Sequence, residues 1–261
     1  MKISLLQTRA NGDPQENMRV AEEAFMTCDS PLLIFPETFQ SLYPLDTPMD
    51  TVKKRAESLN GSFVCQMREL AKKYGKAVIF GMREETDGNP YNTVVTVDET
   101  GEIKNVYHKH LLYDAFGHKE SDYVTAGTEP REVFQMGGFT FGVQVCYEIR
   151  FPEVSRELTE KGAEVLVIPT AWVKGPNKIE QLRTLAKARA IENGAYVLVV
   201  NQTGEDTTGF SLAVDPLGNV IMEAAEEPTV LTIELEKEKI EETRKVTKSW
   251  NYGTFTTQIN N

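Results

Sequence analysis

Residues 139–153 read FTFGVQVCYEIRFPE, and the fold class turns on this stretch. From Phe139 to Val145, apolar residues alternate with small or polar ones, the period-two pattern of a buried β-strand. The strand is expected to end at Cys146. Pro152 suits the first position of a helix, and VSRELTEKG follows, with Gly162 as its stop. Cys146 thus falls at a strand-to-helix junction, at the carboxyl end of a strand, where α/β sheets gather ligands and chemistry. A cysteine there acts as a nucleophile only if a base and an anion-stabilising group converge on it. Without them, a lone free cysteine is more often a small buried core residue.

Working outward, two more apolar strands end in a chemically capable side chain. Pro31 to Phe35, PLLIF, has the composition of a strand covered on both faces, and Pro36-Glu37 follows it. Ile103 to His108 pairs back on Tyr91 to Val97 across the Glu99–Gly101 turn, and Lys109 comes next. The remaining pattern alternates strand and helix. Strands are expected at Lys2–Gln7, Ala77–Met82, Glu132–Met136, Glu164–Ile168, Ala195–Val200, Phe210–Val214, Asn219–Met222 and Thr229–Leu235. Helices are expected from Pro14 to about Met26, between Gly61 and Gly75, from Asn177 to Asn193 with Gly194 as C-cap, and over Glu236–Lys245. His110 to Pro130 reads as a long polar irregular loop, a length that usually marks function or disorder. Neither a linker nor a repeat interrupts the chain, so residues 1–261 are read as one α/β domain with mixed sheets. Residues 246–261, with Trp250, Tyr252 and Phe255, read as a tail that docks on its own domain or a partner chain.

Composition sets outer limits. The 261 residues carry a net charge of −11, which argues against nucleic acid or an anionic membrane as partner. The opening MKISLLQTR turns polar too soon for a signal peptide, and no apolar run approaches a membrane span. Three cysteines, Cys28, Cys65 and Cys146, are widely spaced with no CxxC pair, as expected for reduced thiols in the cytoplasm.

Glu37, Lys109 and Cys146, in this order and with these flanks, resemble the catalytic Glu-Lys-Cys triad of the nitrilase superfamily of carbon–nitrogen hydrolases. The matching segments are Phe35-Pro36-Glu37, His108-Lys109-His110-Leu111 and Cys146-Tyr147-Glu148-Ile149-Arg150-Phe151-Pro152-Glu153. The first strand with Gln7, KARAIEN at 187–193 and GFSLAVDPLG at 209–218 extend the resemblance over most of the chain. It implies a four-layer αββα sandwich, assembly into a homodimer or higher homo-oligomer, and acyl transfer through a Cys thioester with no metal or other cofactor. Carried over, Cys146 is the nucleophile, Glu37 the general base and Lys109 the oxyanion stabiliser. Glu120 matches the family's second glutamate and would hold Lys109 or Glu37 in place. The chemistry agrees: a thiol attacks as the thiolate and needs an adjacent base, and the backbone N–H of Tyr147 is a natural second donor to the oxyanion.

For substrate contacts, Tyr147, Phe116, Thr170, Ala171 and Trp172 are candidates, although aromatic residues near a sheet edge are more often core. Glu148 and Arg150 are expected to pair with each other or with Glu192. Asn201 is a candidate for orienting a loop. Tyr147 follows the cysteine where nitrilases commonly carry Trp, and Ile149 stands where carbamoylases often carry the first of two adjacent arginines. The resemblance therefore favours an amidase acting on a small primary carboxamide, such as an ω-amide of a dicarboxylic or 2-oxo acid. An N-carbamoyl amino acid amidohydrolase or a nitrilase is the alternative within the superfamily. Three readings lie outside that mechanism: a metal-dependent hydrolase using His108 and His110 with Asp114, His118 or Glu120, a Cys-His hydrolase with His110 or His118 as base, and a non-catalytic binding relative.

Overall fold

The computed structural model describes residues 1–43 and 47–251. Its first half comprises β1 (Lys2–Gln7), α1 (Pro14–Thr27), β2 (Leu32–Ile34), α2 (Met49–Lys53), α3 (Ser62–Tyr74), β3 (Ala77–Glu84), β4 (Tyr91–Val97) and β5 (Ile103–His108). A short hairpin, β6 (Asp114–Ala115) and β7 (His118–Lys119), leads to β8 (Val133–Met136) and β9 (Phe139–Val143). Then follow α4 (Pro152–Glu160), β10 (Val165–Thr170), α5 (Lys178–Asn193), β11 (Tyr196–Asn201), β12 (Leu212–Val214), β13 (Val220–Glu223), β14 (Thr229–Glu234) and α6 (Lys237–Thr247).

Two six-stranded sheets result, ordered β14-β1-β2-β3-β4-β5 and β13-β12-β11-β10-β9-β8, each with parallel central and antiparallel outer pairings. Strand periodicity explains how they stack. Along β1 to β4, Leu6, Leu33, Val78, Phe80 and Val95 point to one side, where they pack with Met18, Phe25, Phe63 and Met67 of α1 and α3. Ile3, Leu5, Ile34, Ile79 and Val94 point to the other, against Phe141, Val143, Val165, Val167 and Leu198 of the second sheet. The far side of that sheet is covered by Leu158 of α4 and by Leu182, Ala186 and Ala190 of α5. The layers are therefore helix, sheet, sheet, helix, the four-layer αββα sandwich the resemblance implies. Central strands with both faces buried account for the unbroken apolar runs PLLIF and VLVVN.

Three sequence expectations change. The strand expected over 139–145 stops at Val143, and after Gln144 and Val145 Cys146 opens a 3₁₀ turn, Cys146–Arg150. There the Val145 N–H leaves the ladder and donates to Glu148 Oε2 at 2.7 Å. The stretch 110–130 is not structureless: β6, β7 and a 3₁₀ turn at Glu120–Asp122 occupy its middle. The short helix α2 has no counterpart in the sequence reading. Of the tail, Trp250 packs under the Arg244 guanidinium at 4.7 Å, and Arg156 Nη1 donates to Ser249 O at 2.9 Å; Tyr252 and Phe255 lie outside the described residues. Among the described residues no helix is long and apolar enough to cross a membrane.

Close packing between β3 and the turn after β2 seats Glu37. The Gly81 N–H donates to Pro36 O at 3.2 Å, and the Gln40 N–H donates to Gly81 O at 3.0 Å. A Cβ on Gly81 would lie 2.8 Å from Glu37 Cα and 2.4 Å from Thr38 N, both backbone atoms that cannot swing aside. Gly81→Ala is therefore expected to destabilise the protein by about 1–3 kcal/mol, as overpacking does, and to displace Glu37. Melting temperature and turnover should fall together; a variant unchanged in both refutes this account.

Candidate active site

Glu37, Lys109 and Cys146 arrive from three separate places: the end of β2, the end of β5 and the turn after β9. They meet with Glu120 in one cavity of about 140 Å³, room for a small molecule. All four are at least nine-tenths buried. Lys109 Nζ lies 3.1 Å from Glu37 Oε1 and 2.8 Å from Glu120 Oε2. Burial by itself pulls the Lys109 ammonium toward neutrality, but the charges of Glu120 and Glu37 more than offset this and hold its pKa well above the ordinary lysine range. Burial likewise opposes ionisation of Glu120, and Lys109 with Arg83 reverses that, holding the carboxyl down at about 2. Glu120 is thus a buried ion, not the solvated acid that a polar loop suggests.

Cys146 differs. Burial, followed by the nearby charge of Glu37, pushes its thiol well above the ordinary cysteine range, with Lys109 pulling the other way. At neutral pH the sulfur keeps its proton, hydrogen-bonded to Glu37. Ala171 N–H donates to Glu37 Oε2 at 2.7 Å and also faces the sulfur. Backbone strain concentrates here: Cys146 has φ 48° and Thr38, next to Glu37, φ 52°, a left-handed conformation costing about 1–2 kcal/mol in a non-glycine residue. Such outliers persist where surrounding structure over-determines them.

Several residues that the sequence reading missed do this positioning. Asn92 of β4 donates from Nδ2 to Glu37 Oε1 at 2.8 Å and to Glu120 Oε1 at 3.1 Å. Its backbone oxygen accepts the Lys109 N–H at 2.9 Å. An amide side chain in a strand otherwise made of Tyr, Thr and Val was the one available signal for it. Arg83, on β3, stands 3.9 Å from Glu120 Oε1. Gln202 Nε2 donates to Glu37 O at 3.1 Å.

Glu148 and Arg150 do not pair with each other or with Glu192, contrary to expectation. Glu148 is fully buried and accepts the Tyr107 hydroxyl at 2.8 Å, the N–H groups of His110 and Leu111 at 3.0 and 3.2 Å, and that of Val145. It clamps the segment after Lys109 to the turn that holds Cys146. Burial raises its pKa, and these donors work against the rise. Arg150 Nη2 donates to Gln181 at 2.7 Å, and Glu192 pairs with Arg189 instead.

Of the proposed substrate contacts, Tyr147, Ala171 and Trp172 line the cavity. Thr170 is fully buried in β10, where its hydroxyl donates to Val200 O, and Phe116 is 69% exposed. Neither lines the cavity. Asn201 does orient a loop: its Oδ1 accepts the Trp172 N–H at 2.9 Å. The histidines do not converge. His108 bonds Glu84 and Glu129 through its two ring nitrogens, His110 packs on Tyr107, and His118 bonds the Tyr123 hydroxyl. Among the described residues no three His, Cys, Asp or Glu side chains are grouped to hold a metal ion.

The family model for carbon-nitrogen hydrolases matches residues 2–245. The chain is 34% identical over 217 residues to a deaminated glutathione amidase of Escherichia coli O157:H7, spanning 83% of this chain and 82% of the relative. It is 32% identical over 244 residues to the 2-oxoglutaramate amidase of Bacillus subtilis, spanning 90% of each. Among solved structures it resembles a mutant of the amidase from Nesterenkonia sp. that carries acrylamide added at the active-site cysteine. That likeness has a TM-score of 0.78 and 26% identity, and covers 96% of this chain and 99% of that one.

Proposed function

The chain belongs to the carbon–nitrogen hydrolase family, and from that membership we propose that it is an amidase. Its substrate is a small primary carboxamide, with ω-amides of dicarboxylic or 2-oxo acids foremost, and its products are the carboxylate and ammonia. As a member of this family it is a hydrolase of carbon–nitrogen bonds in linear amides. The reaction proposed runs through a thioester on Cys146. Glu37 takes the thiol proton as sulfur attacks the amide carbon. The oxyanion forms against Lys109 Nζ and the Tyr147 N–H. Collapse expels ammonia, which receives the proton held by Glu37. Water then attacks the thioester, gives its proton to Glu37, and the thiol is restored.

The observation that carries this reading is the convergence of Cys146, Glu37 and Lys109 in one buried cavity, with the thiol protonated and in contact with the carboxylate that must deprotonate it. Proton transfer and attack are then coupled, and no free thiolate has to be maintained. The cation is fixed in advance by Glu37 and Glu120, so it need not reorganise as the oxyanion develops. Three unbonded thiols suit the cytoplasm. Exposed Ile191 and Leu217, neighbours through Gly218, suit a homo-oligomer.

Ammonia release across ω-amides, simple aliphatic amides, N-carbamoyl amino acids and nitriles, with intact-protein mass spectrometry, tests the proposal. The expected result is ammonia from amides together with an acyl adduct on Cys146. Ammonia from carbamoyl compounds or nitriles alone would replace the amidase reading, and the absence of both ammonia and adduct would overturn it.

A further inference from the structure

Among the described residues the cavity beside Cys146 is lined by the cations Arg83, Lys109 and Lys178 and the carboxylates Glu37 and Glu120, and no ion pair is formed by Lys178. Lys109 is committed to Glu37 and Glu120, and Arg83 faces Glu120. Lys178, the first residue of α5, is different. It is 7% exposed and lines the same cavity. Its Nζ donates to the Tyr113 hydroxyl at 3.3 Å and otherwise lies over rings, 3.9 Å from the centre of Phe116 and 5.4 Å from those of Tyr113 and Trp172. Among the described residues, the charged or ionisable groups that act on it are Arg150 and Cys146. Burial, and then the charge of Arg150, pushes its ammonium below the ordinary lysine range, as befits a buried cation without an anion.

Arg150 repeats the pattern. Its guanidinium lies 5.0 Å from the centre of Trp172 and 5.6 Å from that of Phe116. It donates to Gln181, its Nε is buried with no partner, and among the described residues no carboxylate pairs with it. Two cations thus flank the same two aromatic rings without an acid between them, in a chain that carries 39 Asp and Glu against 28 Lys and Arg. Buried charges are ordinarily paired. Cation–π contacts hold such groups in place but do not neutralise them.

We propose that Lys178, backed by Arg150, is the specificity residue of this site and binds a carboxylate carried by the amide substrate at the end remote from the scissile carboxamide. The proposal rests on the amidase reading for its choice of ligand, and it makes the preferred substrate an anion. The scissile amide sits at Cys146 and Lys109, while the distal carboxylate supplies the counterion that Lys178 lacks. The rings of Trp172 and Tyr113 face the ammonium of Lys178 without neutralising it, so a neutral amide of the same length leaves the charge uncompensated.

Calorimetric titration of a Cys146→Ala protein, which cannot turn substrate over, with glutaramate and with neutral pentanamide separates the two ideas. Glutaramate is expected to bind more tightly. Adding Lys178→Met, an apolar side chain suited to the ring-lined site, should cut the preference about 10- to 100-fold, the range of one charge-assisted hydrogen bond. Lys178→Arg should retain most of it. In the enzyme with Cys146 intact, the ratio of kcat/KM for the two amides should fall by the same factor under Lys178→Met, through KM more than kcat. Equal binding of both amides, or equal weakening of both by Lys178→Met, overturns the subsite. A glutaramate preference that depends on Lys178, in a protein that releases ammonia from neither amide, supports the subsite and defeats the amidase reading. If Lys178→Met does not fold, loss of the preference in Arg150→Gln, against its retention in Lys178→Arg, decides the matter.

Discussion

Cys146→Ala is expected to lower ammonia release by about 10⁴- to 10⁶-fold, the scale seen when a covalent nucleophile is removed, while the melting temperature stays close to that of the unaltered protein. The thiol packs in a small buried volume, and alanine retains the same backbone requirement at φ 48°. Little stability is therefore at stake beyond a few contacts of one sulfur atom. Cys146→Ser is the sharper test, because it keeps a hydroxyl where the thiol stood. Glu37 is too weak a base for an alcohol, so serine should be nearly inactive. Glu37→Gln removes the proton carrier from both half-reactions. General acid–base catalysis contributes about 10²–10⁴ per step, and loss in both should leave turnover and deacylation crippled alike. Ammonia assays with intact-protein mass spectrometry read all three. Turnover at the level of the unaltered protein in any of them would sink the mechanism. A stable acyl adduct on Glu37→Gln would instead show that acylation does not need this base.

The parts of the site legible in the sequence are those fixed by local pattern. Each apolar strand ends at a sheet edge, so Glu37, Lys109 and Cys146 could be picked out by position, and Gly194 could be read as a C-cap, which it is at φ 53°. What stayed hidden depends on contacts between distant segments. Asn92 lies 55 residues from Glu37 and 28 from Glu120 along the chain, and no periodicity encodes that meeting. Glu120 looked like a loop acid because its burial comes from Tyr113, Lys109 and Arg83, none of them its immediate neighbour. The strand before Cys146 ended early for a related reason: a side chain three residues on, Glu148, competes with the ladder for the Val145 N–H. Lys178 escapes the sequence reading because a lysine at the start of a helix ordinarily reads as solvated surface, and its ring-lined setting is assembled from two other stretches, one carrying Tyr113 and Phe116 and the other Trp172.

Lys109→Met is expected to be the most damaging single change to stability, and its pH dependence identifies the cause. Removing one member of a buried ion group costs about 3–5 kcal/mol, because the partners stay buried and uncompensated. In a protein of this size that is a loss of about 10 °C or more in melting temperature. Activity should fall by at least about 10²–10³-fold with the oxyanion donor gone. In the unaltered protein the carboxyl of Glu120 is held down at about 2. Its contribution to stability is therefore present above the ordinary carboxylate value of about 4.3, and is lost as pH falls toward 2. Without Lys109 the sign reverses. Arg83, at 3.9 Å, is a weaker partner, and burial then raises the Glu120 carboxyl above its unfolded value. The variant is most stable where Glu120 is protonated and loses stability as pH rises through the raised pKa. The gap in melting temperature between the two proteins should narrow as pH is lowered from 8 to 5. A gap independent of pH over that range would show that the damage is packing, not charge. Lys109→Met combined with Glu120→Gln should recover much of the stability and none of the activity, since a neutral amide in place of Glu120 no longer needs the cation, whereas the oxyanion still does.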